Sequence, residues 1–202
     1  MNMSGKNKML GVSRHIALDL DEVLCPFATY LHKHYSKTRR KTCPTKALTN
    51  YNFAKHYGIT DYESKILVSS FYDSLECEEI RPIEGSQEAI KVLHENHRLS
   101  IVTGRQHYAA GVTTNFIDKY FPGMFSEIVF TNSFSLDGPE TSKQNACKDI
   151  NAALLIDDNL NTCIDCINEG IEAYVFGDYE WNKDIGVYKH IPRLQNWNEF
   201  LL

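Results

Sequence analysis

Residues 15–24 read HIALDLDEVL. An apolar run, His15–Leu20, leads straight into two carboxylates, Asp19 and Asp21. Short, unbroken apolar strands are what a parallel sheet covered by helices on both faces requires. Side chains alternate along an extended strand, so Asp19 and Asp21 point the same way. Two other runs repeat the pattern: Leu99–Val102 ends at Thr103, and Ala153–Ile156 ends at Asp157 and Asp158. Glu127–Phe130 and Ile171–Phe176 are further strand candidates. Helical spacing covers Ser86–Glu95 (with Ser86 as N-cap), His107–Tyr120, Ser142–Asp149 and Leu160–Glu169. This alternation predicts an α/β fold with a doubly wound, Rossmann-like parallel sheet.

The stretch Pro26–Ile80 breaks the alternation. It holds helical patterns at Phe27–Tyr35 and Asp61–Leu75, many aromatics and no strong strand run. It predicts a small helical cap, residues 26–80, inserted after the first strand of a core formed by residues 1–25 and 81–202. Inserted modules of this kind commonly act as lids. The C-terminal run Trp197–Leu202 is expected to close the core as a short helix.

A chain of 202 residues suits one such domain with its insertion. A net charge of −5 argues against a surface built for a nucleic-acid polymer. The local basic stretch Lys37, Arg39, Arg40 and Lys41 reads either as a solvated loop or as a positive rim for a phosphorylated substrate. The opening MNMSGKNKML lacks a signal-peptide core. No apolar run approaches the roughly 20 residues needed to span a bilayer. A soluble, cytoplasmic protein without membrane contact is the expectation; the oligomeric state is not encoded in any visible motif. The six cysteines form no disulfide framework, as in a reducing compartment. Cys163 and Cys166 fall three apart on a predicted helix and read as small buried hydrophobes. His32 and His34 have no third ligand at a metal-binding spacing.

In open α/β sheets, ligands bind beyond the carboxyl ends of the strands. Here those ends carry Asp19, Asp21, Thr103, Asp157 and Asp158. Capping of the following helices could account for one or two of these carboxylates. It accounts poorly for two separate strands that each end in an acidic pair. Converging carboxylates stay ionised only beside a cation, and hard oxygen donors favour Mg²⁺. One carboxylate of an Asp-x-Asp pair can attack while the other handles a proton, which suits Asp19 as nucleophile and Asp21 as general acid–base. Thr103 and Gly104 offer a hydroxyl and a backbone N–H to a transferring group. Lys143, at the start of a helix, is by itself as readable as a surface lysine. In the order of these motifs its ammonium could balance Asp19 and a phosphate.

The segments ALDLDEVL, IVTGR, SK and LLIDDN stand in the order of the four haloacid dehalogenase motifs, and the chain resembles that superfamily over about residues 14–176. The resemblance implies an aspartyl-phosphate intermediate on Asp19. Asp21 would be the acid–base, binding the metal through its backbone carbonyl. Thr103 and Lys143 would hold phosphate. Asp157 would ligate the metal, and Asp158 would support the metal or its waters. A closer resemblance is to the 5′(3′)-deoxyribonucleotidase branch, carried by Asp19, Asp21, Val23, Leu24 and Phe27. It implies a small nucleotide substrate, with Phe27 stacked on the base; the alternative is a core aromatic of the cap. Tyr51 and Phe53 could also face a ligand.

Two departures from the branch stand out. Glu22 replaces the glycine common after the second aspartate, and Thr103–Gly104–Arg105 replaces Thr-Ser-Pro. Arg105 could supply a second phosphate contact or pair with a cap carboxylate. A different small phosphoester, transfer to an acceptor other than water, or a non-catalytic binding role are the competing expectations.

Overall fold

The computed structural model describes residues 12–39, 48–49, 52–183, 186–188 and 190–201. Arg40 and Lys41 of the basic stretch, Cys43, Tyr51, Leu202 and the N-terminal residues 1–11 lie outside them.

Among the described residues, six parallel strands form one sheet in the order β3-β2-β1-β4-β5-β6. They are β1 (His15–Leu18), β2 (Arg98–Thr103), β3 (Ile128–Phe130), β4 (Leu154–Asp157), β5 (Glu172–Phe176) and β6 (Arg193–Leu194). The chain winds outward from β1 through β2 to β3, then crosses to β4 and winds the other way. β1 and β4 pair directly, with Leu18 opposite Ile156. The crevice between their carboxyl ends is the topological switch point, where ligands bind in sheets of this kind.

Alternation along the strands builds a core layer on each face. Ile16, Leu18, Leu154, Ile156, Tyr174 and Phe176 belong to one buried cluster. Ala17, Leu155, Ala173 and Val175 belong to the other. Cys163 and Cys166 are completely buried in the second cluster, as their helical spacing predicts.

Between β1 and β2 lie α1 (Phe27–Arg39), α2 (Phe53–Tyr57), α3 (Asp61–Tyr72), α4 (Leu75–Glu78) and α5 (Ser86–His94). Thr60 and Glu63 form a reciprocal capping box that starts α3. Tyr35, Tyr57 and Phe71 are buried, and the Tyr35 and Tyr57 rings stack at 4.1 Å. Ser86 does not cap α5. The cap position is Gly85 at φ 77°, and the Ser86 hydroxyl donates back to the Ile83 carbonyl at 2.6 Å. A left-handed turn enters that helix, and glycine adopts it without strain.

The remaining helices are α6 (Ala110–Tyr120), α7 (Lys143–Asp149), α8 (Leu160–Asn168) and α9 (Trp197–Leu201). α9 buries Trp197 and Phe200, and the Trp197 indole donates to the Val23 carbonyl at 2.7 Å. Among the described residues, no helix is long and apolar enough to cross a membrane.

Candidate active site

Asp19 follows β1 without a break, because its N–H donates to the Ile156 carbonyl at 2.9 Å and extends the ladder to β4. The chain then folds tightly. The N–H groups of Leu24 and Cys25 both donate to the Leu20 carbonyl, at 2.8 and 2.9 Å. Glu22 enters this turn at φ 61°, a left-handed backbone that glycine adopts at no cost. Its carboxyl compensates by accepting the Ala28 N–H at 2.6 Å, in the first turn of α1. The departure at this position thus serves as a cap for the first inserted helix.

Asp19, Asp157 and Asp158 each present a carboxylate oxygen, all within 4.8 Å of one another and all buried. Lys143, the first residue of α7, sits between two of them. Its Nζ lies 2.7 Å from Asp19 Oδ2 and 2.7 Å from Asp157 Oδ2. Burial opposes the Lys143 ammonium, but Asp157 and Asp19 more than offset it and hold its pKa above the usual lysine range. Burial pushes the Asp19 carboxyl up to about 7, with Lys143 opposing and Asp157 and Asp21 adding to the rise. One ammonium shared among three buried carboxylates leaves the cluster short of positive charge. The oxygen donors and that deficit suit a small divalent cation. Among the described residues this is the one group with metal-binding spacing. His32 stacks on His56 at 5.0 Å, and His34 bonds Ser70 and Glu76.

Asp21 stands apart from the triad. Its carboxylate is gripped by Arg105, with Nη2 at 2.7 Å from Oδ1 and Nε at 3.1 Å from Oδ2. Arg105 also donates to Thr113 Oγ1 at 3.0 Å, and its guanidinium lies over the rings of Phe27 and Tyr72. The sequence suggests a phosphate contact or a partner in the inserted helices; the structure gives Arg105 a different partner, Asp21. The reason is proximity: the tight turn brings Asp21 over the end of β2. Thr103 is fully buried, and its hydroxyl accepts the Arg105 N–H at 3.2 Å. Gly104 lines the open side beside Ser133.

A cavity of about 850 Å³ opens beside these groups, and its lining includes Asp19, Asp21, Arg105, Lys143 and Asp158. Phe27, Phe53 and Tyr72 line it from the inserted helices, while Phe27 also packs edge-on against Phe71 at 5.1 Å. Phe27 is thus a core aromatic of the inserted helices that also forms part of the cavity wall. Sequence reading misses Tyr179 and Trp181, which stack at 4.5 Å. The Tyr179 hydroxyl donates to the Glu22 carbonyl at 2.7 Å, and the Trp181 indole donates to Asp158 Oδ2 at 2.7 Å. Nothing in their local sequence marks them, because their partners lie 157 and 23 residues away in the chain.

The sheet order and the carboxylates at the strand ends have the arrangement of the haloacid dehalogenase superfamily. Within it, the chain belongs to the family of the 5′ nucleotidase, deoxy (Pyrimidine), cytosolic type C protein, whose model matches residues 13–165. No curated protein matches the sequence. Solved structures share the fold at low identity. A haloacid dehalogenase-like hydrolase from Streptococcus pneumoniae is 15% identical, with a TM-score of 0.70 over 94% of this chain and 97% of that one. Protein Tyrosine Kinase A from Mycobacterium tuberculosis is 15% identical, with a TM-score of 0.68 over 94% and 96%. CbbY from Rhodobacter sphaeroides, solved with phosphate, is 12% identical, with a TM-score of 0.62 over 95% and 100%.

Proposed function

We propose that the chain is a Mg²⁺-dependent phosphomonoesterase that hydrolyses nucleoside monophosphates through an aspartyl-phosphate on Asp19. The observation that carries this reading is the buried cluster of Asp19, Asp157, Asp158 and Lys143, of which Asp19, Asp158 and Lys143 line an aromatic-walled cavity. A volume of about 850 Å³ accommodates a nucleotide.

Asp19, Asp157 and Asp158, with the Asp21 backbone carbonyl, would hold Mg²⁺. When bound, the ion supplies charge neutralisation for the phosphate and the carboxylates. Asp19 attacks phosphorus as the bond to the leaving oxygen breaks, and Asp21, once it has exchanged its pairing with Arg105 for a proton, gives that proton to the leaving oxygen. Asp21, now ionised, takes a proton from water, whose oxygen attacks the aspartyl-phosphate and frees Asp19. Lys143, Thr103 and Gly104 hold the phosphoryl oxygens. Arg105 fixes Asp21 and, through its positive charge, supports the phosphate end. Helices α1–α4 act as a cap that excludes water and presents Phe27 to the base. The setting in this reading is the cytoplasm, and a nucleic-acid polymer is not the substrate.

The test is phosphate release from a panel of deoxyribonucleoside and ribonucleoside 5′- and 3′-monophosphates and sugar phosphates, with Mg²⁺ and with EDTA. Mg²⁺-dependent release favouring deoxyribonucleotides is the expected result. Preference for another ester keeps the mechanism and overturns the nucleotide assignment. Absence of release from every ester by folded protein overturns both.

A further inference from the structure

Phe134 lies on the loop between β3 and α7 and lines the same cavity as Asp19 and Lys143. The residue is 72% exposed, and its backbone stands at φ 56°. Neither feature helps folding. An exposed phenyl ring forgoes burial, and a left-handed backbone is an outlier for a bulky residue. Strain of this kind persists only where the surroundings impose it, and it concentrates at ligand clamps.

Here the surroundings do impose it. Gln106 Nε2 donates to the Ser133 carbonyl at 2.5 Å, and the Ser133 hydroxyl meets Thr131 Oγ1 at 2.9 Å. Asn132, itself at φ 58°, donates through Nδ2 to the carbonyls of Asp137 and Pro139, both at 3.0 Å. Lys65 of α3 reaches across to the Ser135 carbonyl at 2.7 Å. The residues on both sides of Phe134 are tied down, while its ring stays open. Across the same cavity stand Phe27, Phe53 and Tyr72. A flat apolar group bound there would meet rings from both the inserted helices and the core.

We infer that Phe134 is a substrate-binding residue that stacks on a planar aromatic leaving group from the core side of the cavity. The inference deepens the nucleotide assignment and rests on it: the leaving group would be a nucleoside, its base the stacked ring. Stacking between an aromatic side chain and a base contributes to binding whatever the base, because every base has a π-face.

The experiment compares wild type, Phe134→Ala and Phe134→Trp on three esters. These are a nucleoside 5′-monophosphate, p-nitrophenyl phosphate and ring-free glycerol phosphate. Phe134→Ala is expected to raise KM about tenfold for the two ring-bearing esters, to leave kcat unchanged, and to leave glycerol phosphate hydrolysis unaffected. Phe134→Trp is expected to restore KM. An equal change on all three esters would mark a merely structural loop residue and overturn the inference, as would no change on any. Should wild type hydrolyse p-nitrophenyl phosphate but no nucleotide, the nucleotide assignment fails. The contrast between p-nitrophenyl and glycerol phosphate then still decides the role of Phe134.

Discussion

Arg105 and Asp21 form a bidentate ion pair in which the guanidinium side chain is 2% exposed and the carboxylate 18%. The pair joins the turn after β1 to the end of β2. Breaking a buried pair from one side leaves the other charge stranded and costs about 3–5 kcal/mol. Arg105→Met should therefore lower the thermal midpoint by roughly 10 °C. Arg105→Lys keeps the charge but loses the fork, so it should melt at an intermediate temperature with reduced kcat. A lysine variant with wild-type kcat would show that Asp21 does not need this grip to act.

Asp19→Asn preserves side-chain size in a pocket already crowded with acid. It should fold normally by circular dichroism and lose phosphate release by at least about a thousandfold. Retained turnover in this variant would remove Asp19 from the nucleophile role.

Mg²⁺ and protons compete for the same oxygens. Burial holds the Asp19 carboxyl up near about 7 without a cation, so binding a cation there should release a proton. Added Mg²⁺ should raise the thermal midpoint, with roughly 2.7 kcal/mol of stabilisation at a hundredfold excess over Kd. The gain should be larger above pH 7 than below it, where protonated Asp19 must first ionise. Asp158→Asn should blunt the response. A midpoint indifferent to Mg²⁺ in wild type would argue against a cation among these carboxylates.

Burial pushes the Glu22 carboxyl up to about 8; the Ala28 N–H opposes the rise, and Asp21 and Asp19 add to it. In the unfolded chain a glutamate titrates near about 4.3. The folded state thus keeps a proton that the unfolded chain gives up, and stability falls as pH rises from about 4.3 to 8. Glu22→Gln carries no such proton. In EDTA its melting temperature should gain on wild type steadily across that window. Parallel pH profiles for the two proteins would mean that Glu22 is ionised in the fold.

Much of the fold is legible in the sequence because its strands are buried on both faces. Ile16–Leu18 and Ala153–Ile156 leave no polar residue inside the run, and such runs have few alternatives. β6 escapes notice because two residues, Arg193–Leu194, carry no periodicity. α2 escapes because its five residues make little more than one turn. At the site, the positions of Asp19, Thr103, Lys143 and Asp157 follow from strand and helix ends. The partner of Arg105 does not, because it depends on how the turn at Leu20–Cys25 folds back. Phe134 and the Tyr179–Trp181 stack are invisible for a related reason: only tertiary contact gives them meaning.

The hydrogen bond from Trp181 to Asp158 has a spectroscopic consequence. The protein has two tryptophans. Trp197 is sealed in the core at 0% exposure. Trp181 has its indole N–H 2.7 Å from a carboxylate of the acidic triad. Charge arriving at or leaving that carboxylate acts directly on the indole's excited state. Trp181 emission therefore makes the site self-reporting, and cation binding can be titrated by fluorescence on the unlabelled protein.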